Sequence, residues 1–172
     1  MGQLPIFLDI EASSLSYKSH PIEVGWSDST GRIVSFLIKP EQTWLDWDEY
    51  AEQSIHHISR DKLNSEGLPA SIIVEKMTEA LAGTTVYTSD PTFDSMWCQK
   101  LFASNSTSKS LPFKFGTFYT LLESHFGVEG MPNESTMLIT QKRVRENIEM
   151  RHRATADVQY LRDLYISLTS GY

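Results

Sequence analysis

Apolar residues gather in short continuous runs in the first quarter of the chain and at helical spacing after it. Residues 5–10 read as a buried strand, because their apolar character is nearly continuous. Residues 22–27 and 33–38 read as two more strands, joined by a Ser29-Thr30-Gly31 turn. Over 68–81, Ile72, Ile73, Val74, Met77, Ala80 and Leu81 recur at a helical period, and Gly83 supplies a stop. A short strand is expected over 85–88. Helices are expected over 92–102, with Phe93, Met96, Trp97 and Leu101 on one side, then over 116–126 and 154–168. Val158, Leu161, Leu164, Tyr165 and Leu168 give the last helix its core face. A polar loop is expected over 105–110. Strands first, then a strand among helices, imply an α/β fold: a mixed β-sheet flanked by α-helices.

Composition changes this picture little. With 172 residues, 40% hydrophobic and 22% charged, the chain is expected to be one globular domain over 1–172. A single cysteine, Cys98, excludes an internal disulfide and fits a reducing compartment. No apolar stretch approaches the ~20 residues of a membrane span, and the run before Asp9 is too short for a secretory signal. A cytoplasmic protein without membrane attachment is the expectation. The net charge of −7 argues against a tight binder of long duplexes. Locally the sign reverses: Lys142, Arg143, Arg145, Arg151 and Arg153 place five cations in twelve residues, with Glu146 and Glu149 between them. That run reads as a solvated helix face as readily as a contact surface.

Candidate chemistry lies in three acidic segments. Asp9 and Glu11 stand two apart, so on a strand both carboxylates share a face and can reach one cation. Two acids beside an apolar run would be costly to bury without one. Asp94 follows Phe93 at the expected start of a helix, where an acid can also serve only the helix dipole. Asp90 is expected to cap that helix. Near the C-terminus, His152 precedes the last helix and Asp157 falls in its first turn, so a loop can swing the imidazole over an ion held by Asp157. Four acids and a histidine suit two-metal phosphodiester hydrolysis. Two divalent ions about 3.5–4 Å apart share oxygen ligands, Mg²⁺ and Mn²⁺ prefer carboxylates, and an imidazole with an ordinary pKa of about 6.5 can take a proton from water.

Together these segments resemble the DEDDh (DnaQ-like) 3′→5′ exonucleases of the ribonuclease H-like fold. Asp9-Ile10-Glu11-Ala12-Ser13-Ser14-Leu15 is similar to the first motif, with Ser14 where Gly is usual. Asp90-Pro91-Thr92-Phe93-Asp94 is similar to the middle motif, with Asp90 in place of Asn. His152, Ala154 and Asp157 match His-x-Ala-x-x-Asp, and Ile55-His56-His57-Ile58-Ser59 resembles a further segment, with His57 at a Gly position. The resemblance spans nearly the whole chain in the right order.

It implies a set of roles. Asp9, Glu11, Asp94 and Asp157 would hold two divalent metal ions, Mg²⁺ or Mn²⁺, and His152 would be the general base. Backbone around Ala12 would meet the 3′ end and Leu15 would pack on the terminal base, with Phe93, Arg151 and Arg153 as further substrate contacts. The implied partner is the 3′ end of a single-stranded nucleic acid, RNA or DNA. Small size, acidity and the lack of an accessory binding domain favour short RNA over DNA. A homodimer is compatible with relatives of this size. An inactive binding module and an internally cutting nuclease of the same fold are the alternatives; four intact carboxylates speak against the first, and the second does not require the His152–Asp157 pattern. Trp44, Trp47 and Tyr50 read either as edge packing or as a base-stacking platform.

Overall fold

The computed structural model describes residues 2–104, 110–149 and 152–170; most of the expected polar loop at 105–110 and Arg151 lie outside the described residues. Five strands form one mixed sheet: β1 (Ile6–Ala12), β2 (Pro21–Ser27), β3 (Ile33–Leu37), β4 (Thr85–Thr88) and β5 (Lys114–Thr117), in the order β3-β2-β1-β4-β5. The first three pair antiparallel, whereas β4 joins β1 and β5 joins β4 in parallel. Seven helices are present among the described residues. They are α1 (Glu49–Ala51, continued by a π turn over Glu52–His56), α2 (Arg60–Glu66), α3 (Ala70–Leu81), α4 (Pro91–Ser104), α5 (Phe118–Phe126), α6 (Glu134–Glu146) and α7 (Ala154–Thr169). This is the mixed sheet flanked by helices expected from the sequence. No described helix is long and apolar enough to cross a membrane.

Alternation along β1 sorts the two layers. Leu8, Ile10 and Ala12 face one side of the sheet and enter a core with Val74, Met77 and Leu81 of α3 and Leu101 and Phe102 of α4. Phe7 faces the other side and packs with Leu121 of α5 and Val158 and Leu161 of α7. Asp9 and Glu11 follow Phe7 at the same period, so they point toward α7. The strand runs two residues beyond the expected end at residue 10, because Glu11 pairs with Glu23 in the β1–β2 ladder before a bulge at Ala12.

The β2–β3 turn forms as the sequence suggests. Asp28 accepts from the backbone N–H groups of Thr30 and Arg32, and Gly31 takes φ +87°. The helix expected over 116–126 is shorter than predicted. Residues 114–117 pair with β4, and a Cβ on Gly116 would stand 2.7 Å from the Tyr87 ring, so the strand needs glycine there. Thr117 then caps α5 by accepting from the Thr120 N–H.

Candidate metal centre

Glycine and alanine set the depth at which α7 meets the sheet. Gly25 lies opposite Asp9 in the ladder, and a Cβ there would come within 3.0 Å of the Ala154 carbonyl carbon and 3.1 Å of its Cβ. These two small residues let the first turn of α7 rest on β2. Asp157, on that turn, is thereby brought over Asp9 and Glu11. Oxygens from all three carboxylates lie within 4.8 Å of one another. Asp94 approaches from the first turn of α4, where its carboxylate accepts from the Thr88 hydroxyl and from the Ile10 N–H. Asp90 accepts from the Thr92 N–H at 3.0 Å, the capping contact expected of it.

The convergence of these acids carries an electrostatic penalty. Burial, then repulsion from Asp94, Asp157, Glu11 and Glu23, holds the Asp9 carboxyl well above the usual carboxylate range. Burial and the charges of Asp157 and Glu23 push Glu11 up to about 8. Burial raises Asp94 to about 7 against its hydrogen bonds from Thr88 and Ile10, and raises Asp157 against the nearby charges of His152 and Arg145. Such a group of hard oxygen donors fits a divalent cation, which would offset both burial and mutual repulsion.

A fifth acid, Glu23, lies outside the motifs visible in the sequence. It is 1% exposed and stands across from Glu11, yet it has its own partners. Arg153 donates to it through Nε and Nη2, each at 2.8 Å, and the Ala154 N–H donates at 3.1 Å. The pair ties β2 to the start of α7. Arg153, expected among substrate contacts, thus turns its guanidinium onto Glu23. An acid in an apolar strand, Ile22-Glu23-Val24, is the available signal. Arg153→Ala is expected to lower the melting temperature by several degrees, from a loss of about 1–3 kcal/mol. Turnover should fall with it. Arg153→Lys should recover only part, since an ammonium cannot make the two-pronged bond. Thermal unfolding and kinetics of both variants check this; unchanged values would show that the clasp positions nothing.

The remaining expected residues surround the acids. His152 is exposed in the loop before α7, close enough for its charge to act on Asp157. Ala12 is buried at the end of β1, Leu15 is 78% exposed, and Phe93 stacks on Trp97 with ring centroids 5.5 Å apart. A cavity of about 270 Å³ opens beside Glu11, lined also by Ala12, Leu15, Tyr50, His56 and Trp97. His56 is buried. Its Nδ1 accepts from the Ile58 N–H at 3.0 Å, while Nε2 has no partner among the described residues. His57 takes φ +54°, the left-handed conformation that a glycine would adopt freely at this position. The aromatic run divides: Trp44 is buried against His20, and Trp47 bonds Glu52 through its indole N–H, whereas Tyr50 stays exposed at the cavity. The Ser14 hydroxyl, at the departure from the first motif, donates to Asp46.

No protein-family model matches the chain, and no curated protein matches its sequence. Solved structures do share the fold. The zinc-bound form of the Escherichia coli exonuclease I–ssDNA complex superposes with a TM-score of 0.63 at 15% identity, over 98% of this chain and 42% of that one. The E. coli enzyme in complex with a dA16 oligonucleotide gives 0.65 at 16%, over 96% and 40%. Exonuclease I from Methylocaldum szegediense gives 0.64 at 16%, again over 96% and 40%. The chain therefore spans about two-fifths of the length of these proteins.

Proposed function

We propose that the chain is a metal-dependent 3′→5′ exonuclease acting on single-stranded nucleic acid. The convergence of Asp9, Glu11 and Asp157 carries this reading, because it packs repelling acids beside a cavity in a fold shared with exonuclease I. Asp9, Glu11, Asp94 and Asp157 would hold two Mg²⁺ or Mn²⁺ ions, which when bound supply neutralisation of the charge that develops on the scissile phosphate. His152 would take the proton of the attacking water, its exposed loop giving that proton a route to solvent.

The terminal nucleotide would occupy the cavity, near the lower end of the ~300–1,000 Å³ typical of ligand sites. Leu15, exposed at its rim, would meet the base, and backbone at Ala12 the 3′ end. Because Nδ1 of His56 accepts from the backbone, its proton sits on Nε2, a buried donor without a partner among the described residues. Phe93 would act through its stack on Trp97, and Arg151 keeps a proposed phosphate contact on sequence grounds. Arg153 would reach substrate only with what its fork to Glu23 leaves free. The lean toward short RNA rests on size and acidity. The similar structures hold single-stranded DNA, which makes DNA the first substrate to test.

A 5′-labelled single strand with Mg²⁺ or Mn²⁺ is expected to shorten stepwise into a ladder, releasing nucleoside 5′-monophosphates. A blunt duplex of the same sequence should be degraded far more slowly, and a 3′-phosphate should block the reaction. Matched DNA and RNA strands decide the sugar. Cleavage of a circular single strand at a comparable rate would replace this reading with an endonuclease.

A further inference from the structure

Helix α6 has a solvent face that the metal centre does not use. Its buried residues, Thr140 and Val144, look toward α7, and Val144 packs with Leu164 and Leu168 in one core cluster. The opposite side carries Leu138, Gln141, Lys142 and Arg145 at i, i+3, i+4 and i+7, one stripe along the helix. Leu138 is 58% exposed, and Lys142 and Arg145 are exposed as well. These four residues and Glu146 line a shallow groove.

The stripe points at the site. At its C-terminal end the stripe carries Arg145, whose charge acts on Asp157 in the first turn of α7. Arg145 lies over the Tyr160 ring, 5.0 Å from its centroid, and Tyr160 stands one turn beyond Asp157. The guanidinium is thus held at the rim of the acidic cluster by a ring that leaves its donors free for an anion. In a chain of net charge −7, two exposed cations one turn apart leading away from a phosphodiester site are charge-complementary to a polyanion, and Leu138 offers an apolar surface at the far end.

We infer that the Leu138–Lys142–Arg145 stripe of α6 is the track for the phosphate backbone of the single strand upstream of the scissile bond. This rests on the exonuclease reading for the identity of the strand. Arg145 meets the phosphate nearer the metal centre and Lys142 the next one outward, while Leu138 lies under an unpaired base. Interactions of this kind carry no sequence information. They add affinity with strand length and make it salt-dependent.

The test is equilibrium binding of a fluorescent oligo-dT strand in chelator, read by anisotropy, so that no turnover is needed. Lys142→Gln with Arg145→Gln is expected to weaken binding on the order of tenfold, as for two partly exposed charge pairs. The slope of log K against log salt should become shallower by about 0.7 for each phosphate left without its cation. A labelled dinucleotide, too short to reach α6, should weaken far less. Lys142→Glu alone should weaken the long strand further than Lys142→Gln. Unchanged affinity and salt slope for the double variant would overturn the track, as would an equal weakening on the dinucleotide. If the wild-type chain binds strands through α6 but shortens none of them, the exonuclease reading fails and the track stands.

Discussion

Asp157→Asn, like Asp9→Asn, is expected to lower nuclease turnover by ~10³-fold or more, the scale of the several kcal/mol of charge stabilisation a bound metal supplies. The same substitution should make the metal-free protein more stable. Glu11 titrates at about 8 in the folded chain against an ordinary value of 4.5, and Asp9, Asp94 and Asp157 are raised too. A carboxyl raised by folding adds no cost below its unfolded pKa, where both states are protonated. Between 4.5 and about 8 the folded state keeps a proton that the unfolded state has released, so stability falls as pH rises; above 8 the full penalty is present. In chelator, the wild-type melting temperature should therefore drop by several degrees from about pH 5 to pH 8, and Mg²⁺ or Mn²⁺ should restore it. Asp157→Asn removes one repelling charge, so its metal-free drop should be smaller and its metal response weak. Turnover retained in excess chelator, or a variant whose metal-free stability falls as steeply as the wild type, would remove the acids from the centre of the chemistry.

Much of this arrangement is legible in the sequence because its determinants are local. The apolar run into Asp9-x-Glu11 and the His152-x-Ala154-x-x-Asp157 spacing specify a strand and a helix start on their own. The strand–helix boundary at 116–118 is not legible, since the parallel partner β4 and the Tyr87 ring over Gly116 lie about thirty residues away. Helix α6 escapes for the opposite reason. It buries only Thr140 and Val144, so no apolar stripe announces it, and a capping bond to Asn133 from the Thr136 N–H starts it. The short α1 and α2 are likewise set by side-chain caps at Asp48 and Ser59 more than by periodicity.

The site divides along the same line. Asp9, Glu11 and Asp157 can be grouped from motif order, but the Glu23–Arg153 clasp joins positions 130 apart and depends on β2 lying beside β1. A sequence offers Arg153 as a free cation beside the proposed base, His152; the sheet gives it a buried carboxylate instead. Tyr50 and Leu15 share one cavity only because the loop after β1 and α1 fold over the same strand end.

His152→Ala is expected to reduce turnover by ~10²–10⁴-fold, the usual contribution of a positioned general base. Its place in the structure argues for that role over a purely structural one. The ring is exposed in the loop before α7, so its removal should leave the stability within about 0.5 kcal/mol of wild type. Its charge nevertheless reaches Asp157, which puts it at the edge of the acids rather than out in solvent alone. Loss of a base that acts only in the chemical step should leave KM for a single strand unchanged and depress kcat. Mn²⁺ affinity, measured by calorimetry on the variant without substrate, should stay close to wild type because the four carboxylates remain. A variant with saturating metal that turns over at near wild-type rate across about pH 6 to 9 would show that another group activates the water.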